Sequence, residues 1–152
     1  MQFDDLDRRL LRLVQSDPTA SVPALAKDAG VSVAVARRKL DRLEVGGVLK
    51  SRQAVIDWAA LGYAVEVSLR ITIDKAQPQG FDAFLAAARE IPEVIEIQTF
   101  LGRVDVRLSV LARDMAHYQS LYRERILTLP HIADLEALMH VASVKSDEGL
   151  PI

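Results

Sequence analysis

The spacing of apolar residues changes near residue 64, and the change divides the chain into two kinds of structure. Before it the period is helical. Leu6, Leu10, Leu13 and Val14 repeat at i, i+4, i+7 and i+8 behind Asp4 and Asp5, which predicts a helix ending near Ser16-Asp17-Pro18. Ser21 can cap a second helix through Leu25 and Ala26, Gly30 can take the positive φ of a tight reversal, and Ser32 can cap a third helix. On a wheel of about 100° per residue, Leu40 and Leu43 fall within roughly 40° of Ala36 and form a buried stripe. Ala34, Arg38 and Asp41 lie opposite that stripe, with Arg37 and Arg42 on its flanks. Gly46-Gly47 stops the third helix, and residues 48 to 57 read as an extended segment, a wing or linking strand that carries Lys50 and Arg52.

From Ala64 the period becomes two. Val65, Val67, Leu69, Ile71 and Ile73 alternate with polar residues, predicting a strand with one buried face. Phe81, Phe84, Leu85, Ala88 and Ile91 return to helical spacing until Pro92, and a second strand runs from Val94 or Ile95 to Leu101. Gly102-Arg103 turns into a third strand from Val104 to Val110, Met115 to Ile126 makes another helix, and Leu135 to Val144 a fourth strand. The order βαββαβ, with Ile91-Pro92-Glu93-Val94 echoed by Leu129-Pro130-His131-Ile132, suggests a ferredoxin-like sandwich. The expected class is therefore α+β: residues 1–58 a winged helix-turn-helix with its linking strand, and residues 59–152 the sandwich, with Trp58 anchoring the linker. Two helices cover one face of such a sheet. If the other face is apolar, it must meet a partner sheet.

Charge supports a nucleic-acid surface on the first part. Residues 1–58 hold ten Lys and Arg against eight Asp and Glu, whereas 59–152 hold nine against thirteen. Within 37–52, Arg37, Arg38, Lys39, Arg42, Lys50 and Arg52 stand against only Asp41 and Glu44. A basic helix face with small side chains in its first turn can approach base edges in a major groove, arginine pairing with guanine or holding a phosphate. The plainer reading is a solvated arginine-rich face. So modest an excess binds weakly in one copy, because affinity follows the number of phosphates neutralised, and this calls for a dimer at least.

Composition narrows the rest. At 152 residues, 50% hydrophobic and 26% charged, the chain can bury a core. The absence of cysteine removes disulfides, thiolate nucleophiles and cysteine-bound metals. No export signal and no apolar run of membrane-spanning length is visible, so a soluble, cytoplasmic protein without a membrane partner is expected. His117, His131 and His140 are scattered rather than spaced as metal ligands, and Met115 and Met139 read first as packing. There is no nucleophile elbow and no phosphate-gripping glycine loop, so neither metal nor cofactor is expected.

Four stretches, LDRRLLRLVQSD, LAKDAGVSVAVARRKLDRLEVGGVL, FLGRVD and VKSDEGLPI, together resemble the Lrp/AsnC family of feast-and-famine transcription regulators over nearly the whole length. The resemblance implies a winged helix that binds double-stranded DNA. It implies a RAM-type ferredoxin-like domain that dimerises and assembles dimers into tetramers or octamers, and an amino-acid effector held at contacts between dimers. Carried over by position, DNA contact falls on Ser32, Ala34, Arg37, Arg38 and Arg42, with Lys50 and Arg52 toward the backbone. The effector cleft falls on Gly102, Arg103, Val104, Asp105, Met115, Leu138, Met139 and His140. Two departures stand out. Arg103 and Val104 occupy places where the family usually has an acidic and an aromatic residue, and Ala34 and Ala36 replace a hydroxylated and a larger branched one. Asp105 can hold a ligand ammonium and Arg103 a carboxylate, or the hairpin is an ordinary turn with glycine for its backbone angle. Two other classes stay open: an architectural DNA-binding protein without an effector, and an enzyme subunit like siroheme decarboxylase, whose kin carry histidine and arginine near this hairpin. Here FLGRVDVRLSV has arginines and no histidine, so a non-enzyme is expected.

Overall fold

The computed structural model describes residues 2–52, 54–145 and 149–152. Met1, Gln53 of the expected extended segment, and Ser146, Asp147 and Glu148 of the C-terminal motif lie outside the described residues. The chain forms two compact units, Met1–Val55 with Lys145–Ile152, and Ile56–Val144. This differs from the expected division at residue 58, chiefly because the C-terminal stretch belongs to the first unit. Gln15 explains it: its side-chain oxygen accepts the Leu150 N–H at 2.5 Å while its amide nitrogen donates to the Leu150 carbonyl at 3.4 Å.

In the first unit, α1 spans Asp5–Ser16, α2 Val22–Ala29 and α3 Val33–Val45. Asp4 and Asp7 cap α1 reciprocally, each carboxylate accepting the other's backbone N–H, at 2.9 and 3.0 Å. Ser21 and Ser32 accept the amides of Ala24 and Val35, as their positions predict. Gly30 sits at φ 71°, the left-handed conformation that ends α2, and the Val31 N–H then returns to the Ala26 carbonyl at 2.9 Å. Ala26 and Ala36 are almost wholly buried beside Leu10, Leu25 and Leu40, so small side chains lie where the helices cross. The expected wing is not formed: residues 48–57 contain no strand among the described residues, because none of the described residues forms a ladder with them. Trp58 is no buried anchor either. It is 42% exposed and opens a turn in which its carbonyl accepts the N–H of Leu61 and of Tyr63.

The second unit has β1 (Val65–Ile73), α4 (Gly80–Arg89), β2 (Val94–Thr99), β3 (Val106–Ala112), α5 (Met115–Leu121) and β4 (Ile132–Met139). The last turn of α5 widens into a π-helical turn, Tyr122–Ile126. Its four strands lie in the antiparallel order β2-β3-β1-β4 of a ferredoxin-like sheet. Val67, Leu69, Ile71 and Ile73 of β1 and Val106, Leu108 and Val110 of β3 pack on Phe84 and Ala88 of α4 and on Tyr118, Leu121 and Ile126. The two half-units repeat in detail. Ile91 and Leu129 are buried before their prolines, and β2 and β4 each begin with a shift in register.

β4 starts and ends earlier than its expected Leu135–Val144. His131, at φ 61°, delivers the chain into the strand at once, and Gly80 makes room, since a Cβ there would meet the His131 ring at 3.1 Å. The ladder closes where the His140 N–H reaches the Glu66 carbonyl, because β1 offers nothing beyond Val65.

The outer face of the sheet is mixed in character. Strand alternation puts Glu66, Ser68, Arg70 and Thr72 of β1 there with Arg107, Ser109 and Leu111 of β3 and Glu136 and Leu138 of β4. Ion pairs Arg70–Glu136 at 3.7 Å and Arg107–Glu96 at 3.2 Å cross it. A partner sheet on this face would therefore have to match charges as well as cover leucines, and the argument from scarce cations carries more of the case for a dimer. Phe84→Ala, which empties a fully buried ring position, is expected to cost the sheet unit about 3–5 kcal/mol, measured as a lowered urea midpoint for its unfolding transition.

Candidate functional site

Helix α3 has the two faces its sequence predicts. Ala36, Leu40 and Leu43 are buried to within 2%, while Ser32, Ala34, Arg37, Arg38 and Arg42 are exposed. The six cations of 37–52 do not act alike, however. The carboxylate of Asp7 on α1 is wholly buried and receives the Arg42 guanidinium at one oxygen, with the Lys39 ammonium 3.2 Å from the other. Lys39 also pairs with Asp4. Arg42 is thus a tie between α3 and α1 and not a free recognition side chain, because its charge neutralises an otherwise isolated buried anion. Lys39 likewise leaves the basic surface to which its charge had been counted. Four exposed cations remain against Asp41 and Glu44.

Asp7 is the residue shaping this candidate surface that sequence reasoning missed. The signal was present, since Asp4 and Asp7 stand three apart at a helix start, but only the fold reveals that α3 crosses this carboxylate. Burial pushes its pKa up, yet the Asp4 N–H, Arg42 and Lys39 outweigh that and hold it at about 2. The Lys39 hydrogen bond likewise lowers Asp4, and the same pair raises Lys39.

Arg37, Lys50 and Arg52 line one open groove of about 520 Å³ with Asp41 and Glu44. Arg52 Nη1 donates weakly to the Pro18 carbonyl at 3.4 Å, which sets the 50–52 segment beside the end of α1. Arg38, Ala34 and Ser32 do not line this groove; they are exposed elsewhere on α3. Arg9, through Nη1 to the Ala29 carbonyl at 3.0 Å, fastens α1 to the end of α2 just before the reversal.

The candidate effector residues are not brought together within one chain. Gly102, Arg103, Val104 and Asp105 form the β2–β3 hairpin beside the Ile71–Ile73 end of β1, whereas Leu138, Met139 and His140 lie at its Val67–Glu66 end. Met115 follows β3 at that second end and is 43% exposed. Asp105 is already engaged: Oδ2 accepts the Ile73 N–H at 2.9 Å, and Lys75 Nζ is 3.3 Å from Oδ1. The Arg103 carbonyl accepts the Thr72 hydroxyl at 3.1 Å, and Gly102 has open space where a Cβ would stand. His140 Nδ1 lies 3.3 Å from a Glu66 carboxylate oxygen.

A three-helix reading head and a ferredoxin-like regulatory unit define a DNA-binding transcription regulator. Residues 3–44 match the model of the AsnC-type helix-turn-helix domain, and residues 66–150 that of the Lrp/AsnC ligand binding domain. The chain belongs to the Lrp/AsnC family. It is 28% identical over 151 residues to the glutamate uptake regulatory protein of Zymomonas mobilis, covering 99% of this chain and 92% of that one. It is 29% identical over 150 residues to the leucine-responsive regulatory protein of Salmonella typhimurium, with coverage of 99% and 92%. A crystal structure of an AsnC family transcriptional regulator from Agrobacterium tumefaciens superposes with a TM-score of 0.87 at 31% identity, over 98% of this chain and 97% of that one.

Replacing Asp7 by Ala strands two cations and is expected to cost about 3 kcal/mol, read from chemical denaturation. Because its carboxylate is held below the ordinary range, its stabilisation is complete above about pH 4 and is lost as pH falls through about 2. The Asp7→Ala variant should therefore show a flatter acid limb of stability than the parent.

Proposed function

We propose that two or more copies of this chain bind a specific duplex through the outer face of α3 and respond to an amino acid. The observation that carries the reading is the division of α3 into a buried stripe and an exposed face bearing Arg37 and Arg38. In this reading Ser32, Ala34 and Arg38 meet base edges. Arg37, Lys50 and Arg52 follow the phosphate backbone. Arg42 holds α3 to α1 at the angle the groove requires. With four exposed cations per copy remaining within residues 37–52, a homodimer or a larger even assembly is needed for useful affinity. Family membership supports that assembly, and it favours a regulator over an enzyme, with the protein working in the cytoplasm where the chromosome lies.

The effector reading rests on the hairpin at Gly102–Asp105. Asp105 shapes that hairpin through the Ile73 amide, and Gly102 leaves space above it. Leu138, Met139 and His140 would complete the cleft from a second copy, since they lie at the other end of their own sheet. The names of the relatives point to amino acids such as leucine or glutamate.

On a duplex recovered by selection in vitro, Arg38→Ala should weaken binding roughly 10- to 100-fold in a fluorescence titration while leaving the melting temperature unchanged. Lys50→Ala should weaken all duplexes alike and lower the slope of log affinity against log salt by about one. Unaltered affinity in Arg38→Ala would refute the placement of α3 in the groove. A ligand bound by the native state raises its melting temperature, so one of the twenty amino acids should do so here.

A further inference from the structure

A second cleft, of about 330 Å³, lies wholly within the sheet unit, between the turn that opens at Trp58 and the strand ends at Glu93 and Arg113. Trp58 and Tyr63 stand 42% and 38% exposed on its wall, and Leu111, 6% exposed, lies at its base. A tryptophan and a tyrosine left this open over an apolar floor form a surface that gains by being covered.

The polar groups of the cleft are held in place. The Glu93 carbonyl accepts the Leu111 N–H at 2.9 Å, and the Arg113 carbonyl accepts the Ala64 N–H at 3.2 Å, so the backbone of both residues is fixed to the sheet. His117 Nδ1 accepts the Arg113 N–H at 3.2 Å, leaving Nε2 directed to a Glu93 carboxylate oxygen 3.5 Å away. Glu93 and Arg113 do not pair with each other. Glu93 and Arg113 thus both line the same apolar-floored cleft without pairing with each other.

We propose that this cleft binds an apolar L-α-amino acid within a single chain, at a site separate from the Gly102–Asp105 hairpin. Its ammonium meets Glu93, its carboxylate takes the two-pronged hydrogen bond that Arg113 can offer, and its side chain lies on Trp58 and Tyr63 above Leu111. The proposal rests on the reading that the protein responds to amino acids, and adds where one of them is held. A partner offering only a hydrophobic patch would leave the Arg113 guanidinium without a counter-charge, which is why a zwitterion is the better match.

Trp58 is the only tryptophan in the sequence, so all tryptophan emission comes from the wall of this cleft. The full-length protein is titrated with L-leucine, L-methionine and L-phenylalanine, each with its N-acetyl derivative as a control. At least one free amino acid should shift the emission saturably, and its N-acetyl form should not. Arg113→Ala should weaken that response at least tenfold, while Asp105→Asn, which alters the hairpin, leaves it intact. No saturable shift at millimolar concentration, or a response indifferent to Arg113→Ala, overturns the proposal. So does emission that follows protein concentration instead of ligand, because a second copy would then cover the cleft. A melting-temperature rise abolished by Asp105→Asn with Trp58 silent would sink this site alone and leave the effector reading standing.

Discussion

Asp7 is a carboxylate without access to solvent, placed in a domain whose work requires positive charge on the adjoining helix. Left alone such a group would be neutral or would unfold the domain, because an isolated buried charge is among the costliest features a fold can carry. Here the Asp4 amide, Lys39 and Arg42 hold it ionised, at a pKa of about 2. The pairing is directional. It fixes the roll of α3 about its own axis as well as its distance from α1, since Lys39 and Arg42 lie three apart on the turn that faces α1. Ala36, Leu40 and Leu43 fix which side is buried, and the ion cluster fixes how the remaining side is aimed.

That cluster also alters the electrostatic account of DNA binding. Six cations in sixteen residues are already a modest excess. Two of them are spent on carboxylates of α1, and Asp41 and Glu44 stand beside the others. Because affinity for a duplex rises with phosphates neutralised, fewer free cations per copy make a single chain a poorer binder and strengthen the case for assembly. The sheet offers no simple hydrophobic alternative, for its outer face is crossed by Arg70–Glu136 and Arg107–Glu96. Contact between two such faces would have to match charges, which favours one register over others and makes association sensitive to salt.

Much of the fold was legible because period and punctuation agreed. Ser21, Gly30 and Ser32 marked the helix-turn-helix by local chemistry, and the alternation at Val65–Ile73 marked a strand whose bounds the structure reproduces. The fourth strand slipped because its extent is set by β1, a non-local partner, and by the positive φ of His131, which nothing in an apolar pattern announces. The wing failed for the same kind of reason: an extended segment becomes a strand only when something pairs with it. At the site, the exposure of Arg37 and Arg38 followed from the wheel, whereas the diversion of Arg42 and Lys39 depended on where α1 crosses α3. The C-terminal stretch was likewise claimed by Gln15, a long-range hydrogen-bond partner with no sequence signature.

The sheet itself constrains how a small molecule could control the protein. The hairpin residues and the Leu138–His140 stretch are separated by about five residues along β1, on the order of 17 Å, so no amino acid can touch both in one chain. A ligand that needs both groups can bind only where two copies meet. Its binding free energy is then linked to assembly by mass action, and it must change the oligomer population if its affinity differs between states. The Trp58 cleft is different in kind, since all of its residues belong to one sheet unit. A ligand there gains nothing from association as such, and can alter assembly only by changing the conformation or order of the unit that assembles. The two sites would therefore obey different concentration laws, one depending on protein and ligand together and the other on ligand alone.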